Sequence, residues 1–184
     1  MKAKSNTAFI LRLSLTLLAI CTVVAALLAA VNSYTAPIIA KQKEEKTQLA
    51  IEAVLPGGGE AVPFEDDTGM VTAVYASDGG WAVQVSANGF GGEVNMMVGI
   101  DKAGNVIGIS IISHAETPSL GAVAAENNAA GEGFRSQFAG LSGTLAVKKD
   151  GGTVDAISGA TITSRAVVEG VNAALRCVAK EVQS

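Results

Sequence analysis

The sequence has few of the residues that metal, redox and nucleic-acid sites usually require. Among its 184 residues are 2 cysteines and 1 histidine, too few for a disulfide framework or for an iron–sulfur or zinc ligand set. Cys21 and Cys177 are therefore expected to be small buried apolar residues. Aromatic residues make up only 4% of the chain, the formal net charge is −4, and no basic cluster is present. Nucleic acid is therefore not expected as a partner.

The motifs of two common enzyme classes are also missing. No GxSxG pattern surrounds Ser158 and no second histidine is present to act as a base, which argues against a serine hydrolase. No GxGxxG pattern follows a predicted strand, which argues against NAD binding by this chain. His114, the one histidine, is expected to be structural or to orient its loop rather than to bind a metal.

What the sequence does have is a long apolar run, from about residue 9 to residue 31. At about 1.5 Å per residue this run reaches roughly 30 Å, which is enough to cross the hydrocarbon core of a bilayer. It is longer than the ~7–15-residue core of a cleavable signal peptide, so a retained anchor is expected, with a signal peptide as the alternative. Lys2, Lys4 and Arg12 favour a cytoplasmic N-terminus and an extracytoplasmic remainder, in a single-pass protein of the cytoplasmic membrane.

Three regions are predicted along the chain. Residues 1–34 form a cytoplasmic stub and the transmembrane anchor, and residues 35–60 form a juxtamembrane helix that ends in a glycine-rich hinge. Within the second region, Pro37 is predicted to kink or restart the helix. Residues 61–184 are long enough to form one compact extracytoplasmic domain.

The pattern of the domain predicts an α+β fold. Apolar residues recur at every second position in four segments separated by turns that contain Gly, Asn or Asp, which indicates an antiparallel meander over residues 70–76, 81–87, 94–100 and 106–112. A further strand is predicted at 144–147, and helical segments at 121–130 and 133–138. After residue 164 the apolar residues recur with a helical period, so a C-terminal helix is expected to cover one face of the sheet.

Residues 155–164, DAISGATITS, lead directly into that C-terminal helix. A helix N-terminus offers unpaired backbone N–H groups and the positive end of the helix dipole. Gly159 and Ala160 leave room for a bulky anion to approach the backbone. Four hydroxyls can hydrogen-bond a phosphate or cap the helix, namely those of Ser158, Thr161, Thr163 and Ser164. The residues alone leave open whether this segment is a phosphate site or an ordinary helix cap.

The sequence SGATIT, with Asp155 before it and a helix after it, resembles the flavinylation motif of the FMN-binding domain family, which includes the G subunit of the Rnf complex and the C subunit of the sodium-pumping NADH:quinone reductase. The resemblance implies that Thr163 carries FMN as a covalent phosphoester, delivered from FAD by a separate transferase with the help of magnesium. It further implies that Asp155 is a supporting orienter, and that the phosphate pocket and the transferase recognition site are shaped by Ser158, Gly159, Ala160 and Thr161.

A second stretch, HAETPSLG at residues 114–121, resembles the family's HxETPGLG loop beside the flavin ring. The resemblance implies that the flavin is lined by Glu116, Thr117, Leu120 and Gly121. The alternative for Glu116 is that it caps a helix beginning near Ser119. Ser119 stands where the family has Gly, which costs about 1 kcal/mol if the position requires a positive φ.

Two further features extend the resemblance towards the rest of the domain. GFGGEV at residues 89–94 resembles the family's GYGG-type turn, with Phe90 in place of the usual Tyr, so that no phenolic hydrogen bond is available there. Lys148, shortly before the flavin motif, fits the family pattern and is implied to help neutralise the phosphate.

The resemblance implies an electron carrier rather than a complete enzyme, because flavin exchanges one or two electrons while other subunits supply the donor and the acceptor. The short connection between anchor and domain looks more like the G subunit of the Rnf complex, an ion-translocating ferredoxin:NAD oxidoreductase. The expected partners are the other Rnf subunits, the membrane and the FMN transferase. The alternatives are the C subunit of the quinone reductase or another flavinylated protein of extracellular electron transfer, and a non-redox membrane-tethered binding module.

Overall fold

The structure is a computed structural model that describes residues 3–181. Within these residues the helices are α1 (Ala3–Val54), α2 (Ala129–Ser136) and α3 (Thr161–Glu181). Between α1 and α2 lie the strands β1 (Glu60–Val62), β2 (Val71–Ser77), β3 (Gly80–Asn88), β4 (Glu93–Asp101) and β5 (Val106–Ser113). The predicted α+β class is confirmed. The chain divides into two compact units, Met1–Glu45 and Lys46–Ser184.

In the first unit, the apolar part of α1 is long and apolar enough to cross a membrane, by length and composition. Pro37 lies inside α1, and the helix continues to Val54, so the predicted restart at this proline is wrong. A proline removes one backbone hydrogen bond, and the residues on either side here keep their helical conformation. The prediction that Cys21 is buried is also wrong, because it is exposed on this apolar helix, whereas Cys177 is buried as expected.

In the second unit, the described strands form one antiparallel sheet in the order β1-β2-β3-β4-β5. The four predicted strands are confirmed with end shifts of at most one residue, and β1 is added to them at the edge beside β2. β3 and β4 pair along their whole length, and Val83 lies opposite Val98. The sheet is therefore a simple meander, in which each strand pairs with the next one along the chain.

The predicted C-terminal helix is confirmed as α3, and it covers one face of the sheet. Its apolar residues pack against the β3 and β4 residues that point to the same side, in a shared core that includes Val85, Met96, Val98, Val167 and Val171. These side chains are almost fully buried. Because alternate strand residues point to opposite faces, the same two strands also send residues to the other side of the sheet.

The other face of the sheet is covered by the last turns of α1, which the sequence pattern did not predict. Ile51 and Leu55 are 2% and 1% exposed, and they pack with Ala82, Met97 and Ile112 in a second apolar cluster. The end of α1 therefore belongs to the core of the second unit. The sheet is buried on both faces, as in a three-layer arrangement of helix, sheet and helix.

Between β5 and α3, the predicted strand is wrong and the first predicted helix is confirmed only in part. Residues 144–147 form no strand, and Val147 makes only an isolated parallel bridge to Val154. The predicted helix over 121–130 is a short 3-10 helix, Gly121–Ala125, after which the chain turns. α2 begins only at Ala129, because the Asn128 side chain accepts hydrogen bonds from two backbone N–H groups of its first turn.

Replacing Ile51 by Ala tests whether the end of α1 belongs to the domain core. We expect Ile51→Ala to lower the free energy of unfolding by about 2–5 kcal/mol, because it removes a buried side chain and leaves a cavity. Urea unfolding of the detergent-solubilised chain, followed by the fluorescence of Trp81, measures the change. Leu49→Ala is the matched control, because Leu49 lies on the same helix and is 67% exposed. Equal effects of the two substitutions would contradict this packing.

Candidate functional site

A cavity of about 330 Å³ opens at the N-terminus of α3. Four separate segments meet around it. They are the turn after β3 (residues 89–92), the loop after β5 (residues 114–121), the 3-10 helix Lys148–Asp150 and the start of α3. It is lined by Phe90, Glu116, Thr117, Leu120, Gly121, Lys149, Gly159, Ala160, Thr161, Ile162 and Thr163. The loop after β5 and the motif before α3, which were predicted to share a site, therefore do meet.

Thr163 and Glu116 form the buried polar centre of this cavity. The Thr163 hydroxyl donates a hydrogen bond to Oε2 of Glu116 at 2.8 Å, and the two residues are 1% and 7% exposed. Polar side chains are costly to bury unless they are hydrogen-bonded, so this burial distinguishes the pair from a surface contact. The alternative in which Glu116 caps a helix is wrong, since the 3-10 helix Gly121–Ala125 has no side-chain cap.

The second oxygen of Glu116 joins the loop after β5 to the turn after β3. Oε1 accepts hydrogen bonds from the backbone N–H groups of Phe90 at 2.8 Å and Gly91 at 3.1 Å. Two glycines make room for the carboxylate, because a Cβ added at Gly89 or Gly121 would overlap its oxygens. The carboxylate is therefore held from two sides, and one of its oxygens is turned to Thr163.

The loop itself carries backbone strain at Ser119. Its φ is +62°, in the left-handed region that favours glycine. The positive φ under which Ser costs about 1 kcal/mol more than Gly is therefore present at this position. His114 orients the same loop, because its Nδ1 accepts a hydrogen bond from the backbone N–H of Glu116 at 3.2 Å. The prediction of a loop-orienting histidine is confirmed by this contact.

The cationic group at the cavity is Lys149. Its Nζ donates a hydrogen bond to Oγ1 of Thr161 at 3.2 Å. The turn that carries it is tied to α3, because Arg165 binds the Asp150 carboxylate through two nitrogens, at 2.6 and 2.7 Å. Hydrogen bonds from the Arg165 guanidinium lower the pKa of Asp150 below its ordinary value. A positive charge is thus placed at the positive end of the α3 dipole, which favours an anion there.

Eight of the predicted site residues line the cavity, and three do not. The lining residues are Thr163, Gly159, Ala160, Thr161, Glu116, Thr117, Leu120 and Gly121. Asp155 and Ser158 are exposed beside it, in a neighbouring depression. Lys148 points to Asp155, and their charged groups lie 2.7 Å apart. The roles of all eleven residues stay predictions.

Sequence reasoning assigned no role to two lining residues, Lys149 and Ile162. Lys149 is adjacent to Lys148, and the sequence offers no signal that distinguishes the two, because the 3-10 turn decides which one faces the cavity. Ile162 is 49% exposed, and nothing in the sequence distinguishes it from an ordinary apolar residue of the helix.

The residues present fit an aromatic ligand that carries a phosphate. Hydroxyl groups, the N-terminus of α3 and an ammonium group meet at one end of the cavity, and these are the donors that phosphate requires. Phe90, Leu120 and Ile162 present apolar side chains at its mouth and are 70%, 43% and 49% exposed. An apolar surface beside phosphate donors suits a flavin mononucleotide.

The matches to known families agree with this geometry. Residues 89–176 match the FMN-binding domain, and residues 1–54 match the RnfG N-terminal region. Fold and site together therefore define an FMN-binding domain carried on an apolar N-terminal helix.

The chain is 34% identical over 181 residues to the G subunit of the proton-translocating ferredoxin:NAD(+) oxidoreductase complex of Clostridium ljungdahlii, covering 94% of this chain and 92% of that protein. It is 32% identical over 197 residues to the G subunit of the Na(+)-translocating ferredoxin:NAD(+) oxidoreductase complex of Acetobacterium woodii, covering 95% and 94%. It is 31% identical to the G subunit of the ion-translocating oxidoreductase complex of Pseudomonas aeruginosa, covering 82% and 79%. The chain belongs to the RnfG family, the G subunits of Rnf complexes.

Replacing Ser119 by Gly tests the strain in the loop. We expect Ser119→Gly to raise the free energy of unfolding by about 0.5–1 kcal/mol, because glycine adopts a positive φ without steric cost. Urea unfolding measures it. Ser142→Gly is the control at an exposed serine without positive φ, and it should lower stability slightly through the greater freedom of the unfolded chain. A loss of stability in both variants would contradict the strain at Ser119.

Proposed function

We propose that this chain is the flavin-carrying electron-transfer subunit of a membrane-bound, ion-translocating ferredoxin:NAD oxidoreductase, with FMN joined through its phosphate to Thr163. The observation that carries the proposal is the Thr163 hydroxyl, buried at the cavity and hydrogen-bonded to Glu116 at the N-terminus of α3. The relatives are named as subunits of such complexes, so the other subunits are the partners for electron transfer.

The phosphate of the flavin is assigned to the end of the cavity at α3. The backbone N–H groups of the first turn, the Thr161 hydroxyl and the Lys149 ammonium are the groups that would hold it, with Gly159 and Ala160 leaving the backbone open to the phosphate. The ordinary-cap alternative is weakened by the bonds that the two threonines make. Thr163 donates to Glu116, and Thr161 accepts from Lys149.

The ring of the flavin is assigned to the mouth of the cavity. Phe90, Leu120 and Ile162 offer apolar contact, and Thr117 and Gly121 lie on the same loop as Leu120. When bound, the flavin supplies one-electron and two-electron chemistry. The chain's own contribution is to hold the ring at the surface, where the exposed side chains leave it accessible to a redox partner.

Three predicted residues lie where a maturation enzyme would contact the domain. Ser158 and Asp155 are exposed beside the cavity, and Lys148 pairs with Asp155 across a 2.7 Å gap. We assign Ser158 to the recognition surface of the FAD-dependent FMN transferase. Asp155 then orients the turn before α3 through two contacts. Its carboxylate pairs with Lys148, and its backbone N–H donates a hydrogen bond to the side-chain oxygen of Gln137.

We further propose that the chain crosses the cytoplasmic membrane once, with its N-terminus in the cytoplasm and its flavin domain outside. The support is the apolar part of α1 together with the cationic residues that precede it.

The regions 1–34, 35–60 and 61–184 are kept as the functional division. Ile51 and Leu55 are buried on the sheet, so motion at glycines 57–59 would expose this apolar cluster.

In-gel fluorescence of the denatured protein tests the covalent flavin. We expect the wild-type chain, produced with an FMN transferase, to be fluorescent after denaturation, and Thr163→Ala to be dark, because the alanine has no hydroxyl to form the ester. Thr161→Ala is the matched control on the same turn and should keep a fluorescent band. A dark wild-type band, with a known target labelled in the same cells, would reject the proposal and favour a tethered binding module.

Separate alanine substitutions of the two neighbouring lysines test which one neutralises the phosphate. We expect Lys149→Ala to slow flavin attachment about fivefold, because it removes roughly 1 kcal/mol of charge-assisted interaction from a partly exposed site. Lys148→Ala should change the rate less than about twofold, since its charge is paired with Asp155. The initial rate of labelling by FAD and transferase is the measurement. If Lys148→Ala slowed flavin attachment more than Lys149→Ala, Lys148 would be the residue that neutralises the phosphate.

A further inference from the structure

We propose that Glu116 is the group that removes the proton from Thr163 when the phosphoester forms, so that the chain carries its own general base for its modification. This inference rests on the proposed covalent attachment at Thr163. It assigns to Glu116 a step that precedes electron transfer, instead of a contact with the flavin ring.

The first argument is the distance between the reacting oxygen and a proton acceptor. Oε2 of Glu116 lies 2.8 Å from Oγ1 of Thr163, within the range required of a general base. A threonine hydroxyl is a weak nucleophile unless a neighbouring base takes its proton. Among the residues that line the cavity, Glu116 carries the one carboxylate, and the other ionisable side chain, Lys149, is a cation.

The second argument is the way in which the carboxylate is held. Oε1 accepts the N–H groups of Phe90 and Gly91, which leaves Oε2 to accept from Thr163. Glycines at positions 89 and 121 remove the Cβ atoms that would overlap these oxygens. The base is thus fixed before the reaction, and no reorganisation is needed to align it with the hydroxyl.

The third argument is that other bases are occupied or remote. His114 is exposed, it does not line the cavity, and its Nδ1 already accepts the N–H of Glu116. Asp155 is exposed and paired with Lys148. Asp150 is bound by Arg165 through two nitrogens. His114, Asp155 and Asp150 are thus each bonded to another group. Of these described acidic and basic side chains, Glu116 is the one bonded to the Thr163 hydroxyl and placed to accept its proton.

The step balances with a flavin dinucleotide as the second reactant. Oγ1 of Thr163 forms a bond to the phosphorus on the flavin side, and the bond from that phosphorus to the bridging oxygen breaks. The nucleoside monophosphate leaves with the electron pair, and nothing is oxidised or reduced. The hydroxyl proton passes to Oε2 of Glu116. In its protonated form Glu116 can donate a hydrogen bond to the new phosphoester, and it later loses the proton to water.

A purely structural role would make Glu116 a connector between the loop after β5 and the turn after β3. Glu116→Gln separates the two roles, because the amide oxygen can still accept the N–H groups of Phe90 and Gly91 while the amide nitrogen cannot take a proton from Thr163. Hydrogen exchange of those two backbone amides in the unmodified protein reports whether the turn remains intact.

The experiment measures the initial rate of flavin attachment to the detergent-solubilised full-length chain by purified transferase, FAD and Mg²⁺. We expect Glu116→Gln to lower the maximal rate by about 100-fold or more, the usual contribution of a general base, with unchanged half-saturating concentrations of FAD and of the chain. The amides of Phe90 and Gly91 should keep their protection. A rate within about threefold of wild type would overturn the inference.

Chemical rescue is a second test of proton removal by Glu116, and it does not depend on the glutamine variant. Glu116→Ala is assayed with added formate and, separately, with added formamide, which accepts hydrogen bonds but is not a base at neutral pH. Rescue of at least about tenfold by formate alone supports proton removal, and equal rescue by both overturns it. The wild-type chain is labelled in parallel, and if it is not labelled, the proposed attachment itself has failed.

Discussion

The hydrogen bond between Thr163 and Glu116 joins residues that are 47 positions apart and brings the loop after β5 to the first turn of α3. Through its other oxygen, the same carboxylate also holds the turn after β3. Three segments therefore meet at one buried carboxylate. Removing a buried hydrogen-bonded charge usually costs more than removing a surface contact, so the shape of the cavity depends on this group.

The sheet sets the positions of the three segments that meet at Glu116. β3 and β4 pair over their full length, and α3 packs across one of their faces. The start of α3 is therefore set relative to the strand ends from which the two loops leave. A phosphate site at a helix N-terminus depends on backbone groups, and their positions are as rigid as the packing of the helix behind them.

The second face of the sheet is closed by the last turns of α1. Ile51 and Leu55 complete a buried cluster with residues of the sheet, so the domain core includes the end of α1. The last turn of α1 therefore cannot leave the sheet without exposing apolar surface.

The sequence alone determined the class of fold, the strands of the meander, the C-terminal helix and the position of the motif, because each of these depends on local periodicity or on residues close together in the chain. It also located most of the cavity residues, through two motifs that resemble one family. Only the tertiary structure decided that Glu116 faces Thr163, that Lys149 rather than Lys148 lines the cavity, and that α1 closes the sheet. Those outcomes depend on the orientation of side chains from distant segments, which no local pattern encodes.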